Sequence, residues 1–341
     1  MKRYAGIYML FLALVSLSAG CTGQTEDLDL TLTSDYAVIP ADGESKVTFT
    51  VYEGNADVTA EAKIRSAEDD RALAGAYFST EQAGEYYFYA EYNGIRSETV
   101  KVVAEAVVES NFVKRVCIME FTDAECTFCP DASRYIDRNI LQKNDKVHLI
   151  AFHEKDKWSL PQYATLAAKF NVTFTPSAVI DMKTMTSLAT GERDQVKTAV
   201  SNAINKNQQH CGVAISSEVK SATAASVTVR ILSEKTTDYY LAVYVVEDGI
   251  KGYQKDGSIE YDDYYHSFVA RKLLSRSIYG DNLGRIQAED EKTVTYDVAV
   301  DAEWNLAKTY IYALAMDVNG YVNNMQVCLL DGGSVDFEYK N

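Results

Sequence analysis

Beyond its first twenty residues the chain has no apolar run long enough to cross a bilayer as a helix, which needs about 20 consecutive, mostly apolar residues. It also lacks positive charge. Thirty-three Lys and Arg stand against 49 Asp and Glu, a formal net charge of −16. Such a field repels phosphate backbones and anionic membrane surfaces, and with no basic cluster to offset it, nucleic acid is excluded as a partner. No G-x-S-x-G, G-x-x-x-x-G-K-[ST] or G-x-G-x-x-G occurs in a strand-to-helix context. Triad hydrolases, P-loop enzymes and Rossmann enzymes therefore have no support. There is one C-x-x-C and no second. Structural zinc normally takes four Cys or His ligands, so neither a metal nor another cofactor is expected.

What the chain does have begins at its N-terminus. Lys2 and Arg3 precede an apolar run from Ala5 to Leu17, followed by Leu17-Ser18-Ala19-Gly20-Cys21. A basic start, a short apolar core and small residues describe a secretory signal peptide over 1–20. Leu-Ser-Ala-Gly-Cys resembles a bacterial lipobox, which implies cleavage before Cys21, lipidation of its sulfur and attachment to the bilayer through that group. The alternative is an ordinary secreted protein with a chance cysteine. Thr22 is not Asp, so retention at an inner membrane is not signalled. Loss of 1–20 removes two basic residues and no acid, making the mature charge more negative still. Export also implies an oxidising or redox-managed compartment, where cysteine pairs become disulfides.

The length, 341 residues, is too great for one ordinary core and suggests two or three domains. The pattern predicts a multidomain α+β chain. Residues 24–105 alternate on a strand period, as in Val47-Thr48-Phe49-Thr50-Val51, with turns at Ala41-Asp42-Gly43 and Tyr92-Asn93-Gly94. An antiparallel β-sandwich is expected there. Residues 111–209 alternate strand and helix patterns, which predicts an α/β layer. Cys129, Ala132, Ile136 and Ile140 step at helical spacing, and Val147–Phe152 and Ala178–Met182 are strand-like. From 210 to 341 strands return, and a second sandwich is expected. Its long insertion, 248–290, shows little periodicity apart from a short helix around His266–Ser275. A loop that long inside a compact domain is usually functional or mobile.

The chemistry concentrates at Cys126-Thr127-Phe128-Cys129. The pair follows the strand-like Val116–Phe121 and opens a helix expected to start near Thr127. Free N–H groups and the dipole at a helix start favour a thiolate, the reactive form of cysteine. Cys126 is the candidate nucleophile and Cys129 the resolving thiol. The order strand, C-x-x-C helix, strand, helix, proline, strand, strand, helix resembles a thioredoxin-like domain. That resemblance implies a cis Thr175-Pro176 bond facing the disulfide and presenting backbone to an extended substrate. It also puts Glu120 where thioredoxins hold a buried Asp, as a base beneath Cys129. Phe128, Trp158 and Phe174 are candidate walls of the groove, and His153 ends the strand nearest the thiols, either as a chemical group or as a hydrogen-bonded structural histidine. The opposing view is a fixed structural disulfide. Cys117 is expected to be a buried free thiol, and Cys211 and Cys328 pair only if their strands are neighbours.

Further resemblances cover the rest. Ile39-Pro40-Ala41-Asp42-Gly43 with Ala83-Gly84-Glu85-Tyr86 is similar to bacterial immunoglobulin-like domains of the invasin type, a spacer by role. The lipobox, Glu120-Phe121-Thr122 with Cys126-x-x-Cys129-Pro130, a strand ending in His153, and His266-x-Phe268-Val269-x-Arg271 together resemble the outer membrane protein 28-related lipoproteins over 111–330. The resemblance implies a lipoprotein anchored in the outer membrane, facing the periplasm or the cell surface. Two functions follow. One is thiol–disulfide exchange on exported proteins or peptides. The other is a surface adhesion or binding lipoprotein, with the tyrosines of the insertion, Tyr261, Tyr264 and Tyr265, as the contact surface.

Overall fold

The computed structural model of the chain describes residues 29–341 apart from 108 and 207. The signal-like segment and Cys21 lie outside the described residues. Nine strands come first: β1 (Leu30–Ser34), β2 (Val38–Pro40), β3 (Val47–Glu53), β4 (Ala56–Asp57), β5 (Lys63–Ser66), β6 (Tyr77–Phe78), β7 (Gly84–Tyr92), β8 (Ile95–Arg96) and β9 (Val100–Glu105). By contacts the chain divides into two units, and the division runs through this stretch instead of at its end. Of the described residues, one unit holds 29–33, 49–76 and 87–100, where β5 pairs antiparallel with β7 from Lys63↔Glu91 to Ser66↔Phe88. Phe49 and Phe88 meet at its centre with ring centroids 5.0 Å apart.

The other unit takes residues 34–48, 77–86 and everything from Lys101 onward. Its elements after β9 are β10 (Val116–Thr122), α1 (Cys129–Asn139), β11 (Val147–His153), α2 (Tyr163–Lys169), β12 (Ser177–Ile180), β13 (Thr184–Ser187) and α3 (Asp194–Asn205). Then come β14 (Cys211–Ser221), β15 (Ala224–Ser233), β16 (Thr237–Glu247), β17 (Ile250–Asp256), β18 (Ile259–His266), β19 (Val269–Leu273), β20 (Asp281–Ile286), β21 (Glu291–Ala299), β22 (Thr309–Met316), β23 (Val322–Leu329) and β24 (Ser334–Val335).

The expected α+β chain with a self-contained thioredoxin-like α/β domain is not what forms. The protein is mostly β. Among the described residues there are three α-helices, of 11, 7 and 12 residues. The strands of 111–209 build no sheet of their own. They are four of nine in one mixed sheet, which runs β13-β12-β10-β11-β19-β16-β22-β23 with β20 on β16. The junction is β11. Its free edge takes Val269 of β19 in parallel register at Ala151, and the Ala151 amide donates to the Phe268 carbonyl at 2.8 Å. Local periodicity identifies a buried strand without saying which strand will cover its edge, so the sequence pattern could not show that this sheet continues.

Alternation along the strands then sets the layers. On β16, Leu241, Val243 and Val245 face Val213, Ile215, Val227 and Ile231 of the antiparallel sheet β21-β15-β14-β24. Ala242, Tyr244 and Val246 face the opposite way, into a core shared with Met119, Phe121, Phe152 and Leu166. The C-terminal stretch therefore forms one four-stranded sheet of its own, β21-β15-β14-β24, packed on the large mixed sheet to which it also gives five strands. On β10, Val116 and Ile118 face α1 and α3 through Ile136, Val196 and Val200. Full burial of each such Val, Leu or Ile stabilises by about 1.5–3 kcal/mol.

The insertion 248–290 is ordered into β17 to β20. The helix expected at His266–Ser275 is instead β19, whose side chains Val269 and Ala270 are buried against β11 and β16. Asp317–Gly320 makes the expected turn between β22 and β23, with Gly320 at φ +76°.

Candidate functional site at the end of β10

β10 ends in a tight loop. The Asp123 carboxylate accepts the Glu125 amide at 2.6 Å, and the Asp123 carbonyl accepts the Cys126 amide at 3.1 Å. Cys126 and Cys129 are joined in a disulfide, with Cα atoms 5.4 Å apart. Cys126 is half-buried and Cys129 is 1% exposed. The helix begins at Cys129, not near Thr127, with Pro130 in its first turn. Proline is suited to that turn because its missing N–H has no helical acceptor there and its φ is already helical. Cys126 therefore lies three residues ahead of the helix, while Cys129 occupies its first position and is buried, as are Ala132 and Ile136 further along the helix.

Glu120 falls on the same face of β10 as Val116 and Ile118, one strand repeat nearer the loop. It is 1% exposed. Burial lifts its carboxyl to about 7, against the hydrogen bond from Ser133. The Ser133 hydroxyl is 2.7 Å from Glu120 Oε1 and 3.1 Å from the Cys129 carbonyl oxygen, so its one proton serves either acceptor. That links the carboxyl to the helix turn carrying the inner sulfur. Sequence reasoning missed Ser133, although its position four residues after Cys129 was the available signal.

The Thr175–Pro176 bond is cis, as expected. Ser177 is in register with Phe121, so the proline reaches the end of the sheet from which the Cys126 loop departs. Phe128 and Phe174 are 66% and 45% exposed. Thr175 is half-buried, and the Ser177 hydroxyl donates to the Phe174 carbonyl at 2.8 Å.

His153 and Trp158 stand differently. His153 is buried, and its Nδ1 is 2.5 Å from Asp156 Oδ2. Burial alone would raise the Asp156 carboxyl, but the His153 contact and the amides of Trp158 and Ala124 hold it below its ordinary value. Trp158 is also buried, so it does not wall an open groove. It packs where a Cβ on Gly252 would come within 2.4 Å of its ring. His266 joins this group, 4.4 Å from Trp158 and 5.1 Å from His153 between ring centroids. Burial, with His153 nearby, lowers its imidazole to about 4.

The β17–β18 hairpin holds the disulfide loop from one side. The Lys255 amide donates to the Ala124 carbonyl and the Gly257 amide to the Thr127 carbonyl, both at 2.9 Å. Gln254 Nε2 reaches the carbonyls of Ala124 and Cys126 at 3.1 and 3.2 Å. Arg134 of α1 forks onto Asp256 at 2.7 and 3.3 Å. None of these partners carried a local sequence signal, because they lie more than a hundred residues from the loop. The arrangement joins a half-buried Cys126 to a buried Cys129, with a carboxyl that titrates near neutrality linked through Ser133 to the same helix turn.

Residues 163–330 match the family model of the outer membrane protein Omp28. The match includes Pro176, the hairpin and the His266–Arg271 segment, and it starts after the C-x-x-C, Glu120 and His153. It agrees with the outer-membrane location that the resemblance over 111–330 implied, and the protein is placed there. Among solved structures, HBP35 of Porphyromonas gingivalis is similar at 17% identity, covering 65% of this chain and 77% of that one with a TM-score of 0.57, a likeness of fold. A domain of the outer membrane lipoprotein Omp28 from the same organism is 16% identical, covering 36% of this chain and 89% of that one with a TM-score of 0.27. No curated protein matches the sequence.

Proposed function

We propose that this outer-membrane protein exchanges thiols and disulfides with exported proteins or peptides through Cys126 and Cys129. The observation that carries the reading is the asymmetry of the pair: a half-buried Cys126, a fully buried Cys129, and a protonatable Glu120 tied through Ser133 to the inner turn. A substrate thiolate attacks Cys126 Sγ. The Cys126–Cys129 bond breaks, and its electron pair leaves on Cys129 Sγ, which takes the proton of the Glu120 carboxyl. A second substrate thiolate then attacks the substrate sulfur of the mixed disulfide, and Cys126 departs as thiolate. Two substrate thiols become one disulfide, and the protein pair is reduced. The reverse sequence reduces a substrate disulfide. A carboxyl near 7 can both give and take the proton at neutral pH.

Phe128 and Phe174, exposed on either side of the sequence gap between loop and proline, supply apolar contact for an extended chain, with Thr175 offering its backbone. In the test, Cys129→Ser should accumulate mixed disulfides at Cys126, and alkylation of reduced protein should reach Cys126 before Cys129. A second reading is favoured by the hairpin contacts: a fixed disulfide stapling the loop of a binding lipoprotein. A reduction potential below about −300 mV, where structural disulfides resist glutathione, together with no trapped partner, would establish that reading and exclude exchange.

A further inference from the structure

On the α1 face of β10 and β11 lies a cavity of about 460 Å3, within the roughly 300–1,000 Å3 typical of small-molecule sites. Glu120 lies in its floor, Ser133 and Arg134 line it from α1, and Tyr261, Tyr264 and Phe268 bring aromatic rings. Glu120 Oε1 accepts from Ser133, its one hydrogen-bond partner among the described residues. The second oxygen receives no hydrogen bond from a described residue and is left to the cavity. A largely buried carboxyl with one oxygen open to a cavity favours either its own proton or a cation brought by a ligand.

The cavity offers no free cation of its own. Arg134 is the one Lys or Arg in the lining, and Asp256 already holds its fork. Asp137 and Asp263 add exposed acids to the wall; of the two lining histidines, burial keeps His266 neutral at neutral pH and His153 faces the Asp156 carboxylate. Tyrosine and phenylalanine faces attract cations and also cover hydrocarbon. An anionic ligand would meet the acids with nothing to receive it.

We propose that this cavity binds a protonated aliphatic amine, with the ammonium on Glu120 and Ser133 and the stem along Tyr264 and Phe268. The groups facing Glu120 are Ser133, Arg134 and Asp137 on α1, His153 on β11, and Tyr264 and His266 on the hairpin. Glu120 is the one whose ionisation near neutrality creates the ammonium's partner. The experiment is calorimetric titration of the oxidised full chain with n-pentylamine, and with 1-pentanol and pentanoate as neutral and anionic matches. The amine should bind about tenfold more tightly than either match, and about tenfold more tightly near pH 8 than near pH 5.5. Glu120→Gln should remove that preference, and should the variant not fold, the pH series on the unmodified protein decides alone. Equal binding of the three probes, a flat pH series, or no heat from the amine overturns the proposal. Because the disulfide stays closed throughout, such a failure leaves thiol exchange standing.

Discussion

At the scale of single residues, Glu120 is where position and environment pull apart. Its place six residues before Cys126 was legible, and so was its strand. Its degree of burial was not, since a glutamate is long enough to turn outward. The structure turns it in, and the consequence can be measured. The folded carboxyl holds its proton to about 7, whereas its ordinary value is 4.5. Between those two values the folded state binds more protons than the unfolded chain, so this residue makes stability fall as pH rises, by up to about 3 kcal/mol in all. Glu120→Gln, which cannot ionise, should be more stable than the parent near pH 8 and nearly equal to it near pH 4. Urea unfolding at the two pH values checks this, and equal differences at both would contradict the assignment. Asp156, three residues after His153, was equally visible as a neighbour, but only the fold shows the two side chains in contact.

At the scale of elements, the β17–β18 hairpin is what the sequence concealed. Exposed residues fill β18, so one face of the hairpin gives no apolar alternation, and the stretch looks like a loop. Its order comes from partners elsewhere: Trp158 against Gly252, Asp256 on Arg134, and Gln254 on the disulfide loop. Gln254→Ala removes the buried amide that spans those carbonyls. It should cost about 1–3 kcal/mol, the usual penalty for a buried group left without its partner, and should speed reduction of the Cys126–Cys129 bond by dithiothreitol. Gly252→Ala places a methyl against the Trp158 ring and should destabilise by about 1–3 kcal/mol through overpacking, with a change in Trp fluorescence as the hairpin shifts. By contrast α1 was legible from the spacing of Cys129, Ala132 and Ile136, because it buries one stripe against the sheet and the stripe is written in the sequence.

At the scale of the whole chain, the large sheet is the organising object. Seven of its nine strands were recognisable, whereas β19 was read as a helix and β20 as loop, and the pairing of β11 with β19 spans more than a hundred residues and leaves no mark in either segment. One buried lysine also joins segments far apart in the chain. Lys114 Nζ is 2.8 Å from Asp181 Oδ2 and donates to the carbonyls of Val322 and Asn323, tying the approach to β10 to the β12–β13 turn and to β23. Lys114→Met leaves Asp181 buried without its countercharge and should cost about 3–5 kcal/mol, read as a lower urea midpoint. A fragment of residues 111–209 should fail to fold as a soluble monomer, since it bares the β11 edge that β19 covers and the apolar face that β16 covers. A folded fragment with native helix content would show the segment to be autonomous after all.

The burial of the remaining thiols has one more consequence. Cys117, Cys211 and Cys328 are free and buried, and the last two do not pair. Burial pushes all three thiols up, Cys211 to about 12, so none offers a thiolate at neutral pH. Alkylation of the native reduced protein should therefore label these three only after unfolding, as peptide mapping would show. If the proposed exchange holds, redox change among the described cysteines is confined to the Cys126–Cys129 pair, while the interior sulfur stays deaf to its surroundings.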